Sequence, residues 1–175
     1  MTSSIISSFN HTEMVSVYQQ LFDKIQWLDN PGKGRQSGVQ YAEFEDPFLS
    51  SVGTLKSTRS ETEYNLINPL FQNTIFEEII KQYNLHRSRL MWVDGKSCYS
   101  IHKDKSPRLH IPLITNPDCM FIFPNRLRLD HLPVGNIYVV NTLLKHSFCN
   151  FSDTPRLHFM GCISTKDYYK HLTSC

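Results

Sequence analysis

The sequence contains no CxxC pair, and its cysteines are odd in number: five, at positions 98, 119, 149, 162 and 175. That count and spacing exclude a fully paired disulfide framework and the usual zinc-ribbon pattern. The five read as free thiols of a reducing compartment, mostly small core residues. No apolar stretch approaches the ~18 residues a membrane helix needs, and no repeat of solenoid length occurs. The opening residues carry no basic leader. Lys plus Arg number 18 and Asp plus Glu 16, a net charge of +2, which removes the strong basic footprint of a dedicated nucleic-acid binder. The expectation is a cytoplasmic protein with neither a membrane nor a nucleic acid as partner, and with no indication of oligomeric state.

What is present is ordinary globular material: 175 residues, 40% of them hydrophobic and 19% charged, enough for one domain with its own core. Residues 1–12 read as a loose lead-in or an edge strand. Met14, Val17, Tyr18, Leu21, Ile25 and Leu28 recur at three- and four-residue steps, which predicts a helix over 13–28 with Thr12 as its cap. Ile75, Phe76, Ile79, Ile80 and Tyr83 predict a second helix over 74–83, ended by Asn84. Residues 31–70 show no clear periodicity. From Arg87 onward, β-branched and aromatic runs alternate with turn residues, predicting strands near 87–93, 98–102, 108–115, 118–123, 136–140, 145–151 and 156–163. Seven such strands indicate a sandwich or barrel. The domain reading is a single unit over 1–175. A helix-containing part, 1–85, packs on a β core, 86–165.

Chemistry-bearing residues cluster in that core. In Ser100-Ile101-His102-Lys103-Asp104, residues two apart on a strand would share a face, so His102 and Asp104 would project together. His146 follows Asp104 by 42 residues. Two histidines and one carboxylate form a facial triad that leaves coordination positions open and favours non-haem Fe(II). Arg156 comes ten residues after His146. Its planar, permanently charged fork suits a carboxylate, and in a buried barrel it requires an anion such as a dicarboxylate co-substrate. The Arg-Leu-His pattern occurs twice, at 108–110 and 156–158, putting Arg108 and His110 beside Arg156 on strands that can face one cavity. Ser100 shares the face of His102 and is a candidate hydrogen-bond donor to the co-substrate. Trp92, Tyr99, Phe121, Phe148 and Phe159 are candidate walls, and Asn141 and Asn150 candidate supports of the second histidine. His131 reads as a turn residue before Pro133.

Three stretches carry a resemblance to a known family: His102-Lys103-Asp104 with Arg108-Leu109-His110-Ile111-Pro112-Leu113; Leu132-Pro133-Val134-Gly135-Asn136-Ile137-Tyr138 with Asn141-Thr142 leading to His146; and Asn150 with Arg156-Leu157-His158. Residues 99–163 resemble the aspartyl/asparaginyl β-hydroxylase family of 2-oxoglutarate- and Fe(II)-dependent oxygenases. The resemblance implies a double-stranded β-helix (jelly-roll) core with flanking helices. It implies His102, Asp104 and His146 as iron ligands and catalytic centre. Arg156 matches the arginine that binds the distal carboxylate of 2-oxoglutarate, while Arg108 and His110 match pocket-lining positions. The implied reaction uses Fe(II), 2-oxoglutarate and O2 to hydroxylate an unactivated C–H bond, of an amino acid or of a peptidyl Asp, Asn or Pro residue, with release of succinate and CO2. The partner is then a small-molecule, peptide or protein substrate. Two other readings stay open: a non-catalytic jelly-roll module binding a small carboxylate or protein, and a cupin-type metal enzyme that uses no 2-oxoglutarate.

Overall fold

The computed structural model describes residues 1–55 and 59–173. In chain order the elements are β1 (Ser3–Ser8), α1 (His11–Leu21), β2 (Leu28–Asn30), β3 (Gly34–Gly38), β4 (Gln40–Tyr41), β5 (Leu66–Ile67), α2 (Ile75–Tyr83), β6 (His86–Val93), β7 (Ser97–Cys98), β8 (Arg108–Ile114), β9 (Cys119–Phe123), β10 (Arg128–His131), β11 (Asn136–Val140), β12 (Ser147–Asn150), β13 (Arg156–Cys162) and α3 (Thr165–Thr173). Seven strands form the major sheet in the order β1-β11-β8-β13-β6-β3-β2, and four form the minor sheet, β10-β9-β12-β7. The architecture is mainly β, a jelly roll with flanking helices.

Alternation explains why the major sheet has two unlike faces. Along β13, Leu157 and Phe159 enter a large apolar core, while Arg156 and Met160 line a cavity. β8 repeats the pattern, with Leu109 and Ile111 in the core and Arg108 and His110 on the cavity side. Every residue of β13 is buried, as expected of a central strand covered on both faces. Helices cover the apolar face: Met14 and Tyr18 of α1, Ile75, Phe76, Ile79, Ile80 and Tyr83 of α2, and Tyr168 of α3 are buried there. Phe76 meets Phe159 edge-on at 5.3 Å between ring centroids, a favourable aromatic geometry. The minor sheet closes the other side through a smaller cluster that includes Phe121, Phe123 and Phe148.

The first helix is shorter than the expected 13–28. It begins at His11, capped by the Asn10 side chain, which accepts from the Glu13 N–H, rather than by Thr12. It ends in a 3-10 turn at Phe22–Lys24, after which Ile25 is extended. Leu28 is not a core residue but the exposed start of an edge strand, since residues 28–30 pair with 34–36 in a hairpin. Gly34 serves that hairpin: its φ is +125°, and a Cβ there would stand 2.1 Å from the Trp92 carbonyl oxygen. The second helix ends at Asn84, a left-handed cap with φ of 50°, in agreement with the expectation.

Residues 1–12 supply an edge strand, since β1 pairs with β11. The stretch without periodicity contributes β3, paired with β6 inside the major sheet. His131, expected as a turn residue before Pro133, instead ends β10, which pairs with β9. The polar sequence of 128–131 hides the strand, and buried Asp130 accepts from the Ser3 hydroxyl and the Arg128 guanidinium. The free-thiol reading fails for two cysteines. Register places Cys149 of β12 directly opposite Cys98 of β7, and the two are joined as a disulfide. Cys119 and Cys162 are buried free thiols as expected, and Cys175 lies outside the described residues. Among the described residues no helix is long and apolar enough to cross a membrane.

Candidate active site

A cavity of about 630 Å³ lies between the two sheets. The major sheet lines it with Gln36, Arg89, Met91, Arg108, His110, Arg156 and Met160, and the minor sheet side with Tyr99, Phe121 and Phe148. At its edge His102, Asp104 and His146 each present a ligating atom, all within 4.8 Å of one another. His102 Nε2 is 4.0 Å from Asp104 Oδ1, and His146 Nε2 is 3.8 Å from Asp104 Oδ2.

Strand alternation is not what brings these three together. β7 ends at Cys98, and His102 and Asp104 sit on the connection to β8. That connection is stitched to the segment before β12. The His102 N–H donates to the His146 carbonyl and the His146 N–H to the His102 carbonyl, each at 2.9 Å. The Asp104 N–H donates to the Thr142 carbonyl at 2.9 Å, and the Thr142 hydroxyl to the Ser106 carbonyl at 2.8 Å. The rings are oriented as well. His102 Nδ1 bonds the Ser100 carbonyl at 2.8 Å, and His146 Nδ1 the Leu144 carbonyl at 3.0 Å. In each bond Nδ1 faces a carbonyl acceptor and Nε2 is turned toward Asp104, the arrangement of metal-ligating histidines. Burial pushes His146 below the usual histidine range, so its ring is neutral at pH 7. The donor set, the converging Nε2 atoms and the open side toward the cavity all fit a divalent cation of the Fe(II) type.

Four arginines reach the cavity, and they fall into two classes. Arg87 and Arg108 share one carboxylate, Glu61, at 3.0 Å and 2.8 Å. Glu61 stands on a short 3-10 turn with a Ser60/Glu63 capping box. Burial pushes its carboxyl up, but Arg108, the Ser106 hydroxyl and Arg87 outweigh burial and hold it at about 2. Arg108 also lies 3.4 Å from Asp104 Oδ1, so Glu61, Arg108 and Asp104 form a chain ending at the candidate metal position. Arg87 is a bulged residue with φ of 53°, at the point where the β6–β13 register shifts. The bulge turns its side chain to the Ser51 and Gly53 carbonyls.

Arg156 and Arg89 have no ion-pair partner among the described residues. Arg156 is 2% exposed, its guanidinium lies 3.9 Å from the Phe148 ring centroid, and its Nε is unpartnered. Burial lowers it to about 9, against which the Tyr99 hydroxyl acts. Burial and then the charge of Arg156 also push His110 and His158 well below the usual histidine range. These two therefore face each other as neutral rings, with 3.5 Å between their Nδ1 atoms.

The structure thus brings together His102, Asp104, His146, Arg108, His110, Arg156 and Ser100 around one cavity. Ser100 uses its carbonyl on His102. Tyr99, Phe121 and Phe148 are walls, whereas Trp92 and Phe159 belong to the opposite core. Asn150 braces the strand turn, donating to the carbonyls of Asp94 and Thr154, and the Asn141 N–H bonds the Thr2 carbonyl. Neither lines the cavity. His131 Nδ1 bonds the Cys119 carbonyl, away from the site. Sequence reasoning missed Glu61, Arg87 and Arg89, and it gave Thr142 no role beyond the family-like stretch. The Ser60-x-x-Glu63 capping signature marked a turn at Glu61 but carried no sign of its arginine partners.

No family model matches the chain. Over 79 residues it is 33% identical to L-proline cis-4-hydroxylase of Rhizobium meliloti (strain 1021), a match covering 42% of this chain and 28% of that enzyme. The chain therefore matches well under two thirds of that relative's length. Among solved structures, a 2OG-Fe(II) oxygenase family oxidoreductase from Burkholderia pseudomallei superposes with a TM-score of 0.54 at 12% identity, over 86% of this chain and 77% of that one. HygX of Streptomyces hygroscopicus, solved with nickel, 2-oxoglutarate and hygromycin B, gives 0.51 at 12% identity, over 93% and 82%. These likenesses show the fold. The homologue and the neighbours do not single out the aspartyl/asparaginyl β-hydroxylase branch. What sequence similarity and fold together support is the wider 2-oxoglutarate/Fe(II) oxygenase family.

Proposed function

We propose that this protein is a 2-oxoglutarate- and Fe(II)-dependent hydroxylase whose substrate is a small amino acid of the proline type. One observation carries the reading: a two-histidine, one-carboxylate cluster opens onto the same cavity as a buried arginine without a counter-ion. Cupin-type chemistry without 2-oxoglutarate would leave Arg156 buried with no anion to compensate it, at a cost of several kcal/mol. His102, Asp104 and His146 would hold Fe(II). When bound, that ion supplies the coupling of O2 to substrate oxidation, in which substrate, 2-oxoglutarate and O2 give hydroxylated substrate, succinate and CO2.

The chain's own residues bind, orient and exclude. Arg156, beneath Phe148 and beside Tyr99, takes the distal carboxylate of 2-oxoglutarate in a dry pocket, where a charge-assisted bond is strong. Neutral His110 and His158 bring no competing charge. Glu61 and Arg108 hold Asp104 in place. Phe121, Phe148 and Tyr99 keep water from the reacting C–H bond. Similarity to L-proline cis-4-hydroxylase supports a free amino acid over a folded protein domain as substrate.

The test is anaerobic titration of metal-free protein with Fe(II) and 2-oxoglutarate, watching for the visible charge-transfer band of the chelate, followed by succinate formation with L-proline. The band is expected in the wild type and absent in Arg156→Ala and His146→Ala. Bound metal without any band, in a protein that also fails to bind 2-oxoglutarate by calorimetry, would refute the reading.

A further inference from the structure

The disulfide between Cys98 and Cys149 joins β7 to β12, and the same two strands lead to two of the three candidate metal ligands. His146 lies three residues before Cys149, and His102 four residues after Cys98. Between the disulfide and the histidines the two segments run as one ribbon. The Tyr99 N–H donates to the Phe148 carbonyl at 2.9 Å, and the His102 and His146 backbones bond each other.

The two sides of that ribbon are held unequally. β12 is buried along its length and paired on both edges, with β9 and with β7. β7 is the two-residue edge of the minor sheet. Beyond it Ser100, Ile101, His102 and Lys103 are all exposed, and the His102 side chain is 44% exposed against 4% for His146. Apolar packing therefore does not fix the His102 arm. A few backbone bonds and the disulfide fix it, and exposed edge pairing with few buried contacts opens readily. The covalent link closes across a sequence separation of 51 and limits how far the two segments can part.

Access to the two sulfurs is just as unequal: Cys98 is exposed and Cys149 is 2% exposed. An external thiolate can attack Cys98 Sγ, forming a mixed disulfide there and releasing Cys149 as a thiolate, which takes up a proton. A second thiol of the reductant then displaces Cys98. Two electrons and two protons enter the protein, and the reductant leaves as its disulfide. Buried Cys119 and Cys162 take no part.

We propose that Cys98 and Cys149 form a reversible redox site that governs metal loading. The oxidised pair holds His102 within reach of Asp104 and His146. Reduction by a dithiol frees the His102 arm, and the site then offers two fixed ligands instead of three. The inference rests on the reading of His102, Asp104 and His146 as metal ligands and is independent of the substrate.

The experiment uses the full chain without metal, equilibrated anaerobically with graded ratios of reduced to oxidised dithiothreitol. Thiols are located by alkylation and mass spectrometry. After the dithiol is removed, Mn(II), which has little affinity for thiols, is titrated by the electron paramagnetic resonance of the free ion, and amide hydrogen exchange is followed. Reduction is expected to expose thiols at Cys98 and Cys149 and to weaken Mn(II) binding about tenfold, the lower end of what a metal site loses with an outer support. Exchange at the Tyr99 and His102 amides should quicken, while the β8 and β13 amides, which report the fold, stay protected. Reoxidation should restore the first state. Cys98→Ser should bind Mn(II) as weakly as the reduced wild type, with or without dithiothreitol. The inference is overturned if the pair stays oxidised while the protein is folded, if the reduced protein keeps its Mn(II) affinity within about twofold, or if exchange at the two amides does not change. Should neither form bind Mn(II) while exchange still quickens on reduction, the metal reading falls and the redox-controlled arm stands.

Discussion

The two faces of the major sheet are built from the same strands and do opposite things. On the helix-covered face, Leu90, Leu109, Leu157 and Phe159 are fully buried among apolar neighbours. One residue along each strand, on the cavity face, stand Arg89, Arg108 and Arg156, equally out of water but charged. The first face stabilises the fold by removing apolar area from water, roughly 25 cal/mol per Å². The second costs stability unless something compensates its charges. Within the cavity face the contrast recurs on a smaller scale. Arg87 and Arg108 are compensated by Glu61 inside the protein, whereas Arg89 and Arg156 have no ion-pair partner among the described residues and line the cavity.

That comparison can be broken from either side. Phe159→Ala should have the largest effect on stability, about 4 kcal/mol lost from the cavity left beside Phe76. Because Phe159 points away from the site, 2-oxoglutarate affinity should not change. Chemical denaturation and calorimetry on one variant check the two halves.

Glu61→Gln should cost about 3 kcal/mol at pH 7, because Arg87 and Arg108 lose their shared counter-charge. Its pH dependence has a definite sign. The Glu61 carboxyl is held at about 2 against an ordinary 4.5, so its contribution is fully present above pH 4.5. It is lost as pH falls toward 2. The melting temperatures of wild type and Glu61→Gln should therefore differ at pH 7 and converge in that acid window. A constant difference would show that Glu61 acts by packing instead.

Arg156→Met sharpens the contrast, since it should move two readouts in opposite directions. 2-Oxoglutarate affinity should drop about 100-fold, or about 2.7 kcal/mol. The ligand-free protein should become more stable, by about 1–2 kcal/mol, because an unpaired buried charge is replaced by an apolar chain. A destabilised ligand-free variant would mean that the Phe148 ring and Tyr99 already compensate Arg156 in full. The smallest effect belongs to the edge of the apolar face. Asn10→Ala should cost about 1 kcal/mol through loss of the α1 cap, visible as a modest drop in melting temperature with ligand binding unchanged.

Much of this arrangement is legible in the order of the amino acids. Period-two alternation in Arg156-Leu157-His158-Phe159 announces a strand with one apolar and one polar face. Burial on both sides, and hence the need for an anion, follows from that strand lying among others like it. His102, Asp104 and His146 are readable as a ligand set because few combinations of residue type and order offer two histidines and a carboxylate beside an arginine. Their convergence has a different cause from the one that spacing suggests: backbone bonds between two connecting segments align them, not a shared strand face. Glu61 and Arg89 are not legible. Glu61 lies where no hydrophobic period marks an element, and its partners are 26 and 47 residues away. Arg89 looks in sequence like any arginine on a strand.

Some local and periodic properties of this protein thus follow from the chain alone: the strands whose residues alternate, such as β8 and β13, which side of each is apolar, and which residue types are available for a metal and an anion. Side-chain chemistry and chain geometry over a few residues are enough to set them. Which charges cancel is a matter for the folded molecule. Whether an arginine is paired depends on what tertiary contacts bring within about 4 Å of it. Those contacts placed Glu61 between Arg87 and Arg108, and left Arg89 and Arg156 facing an open cavity.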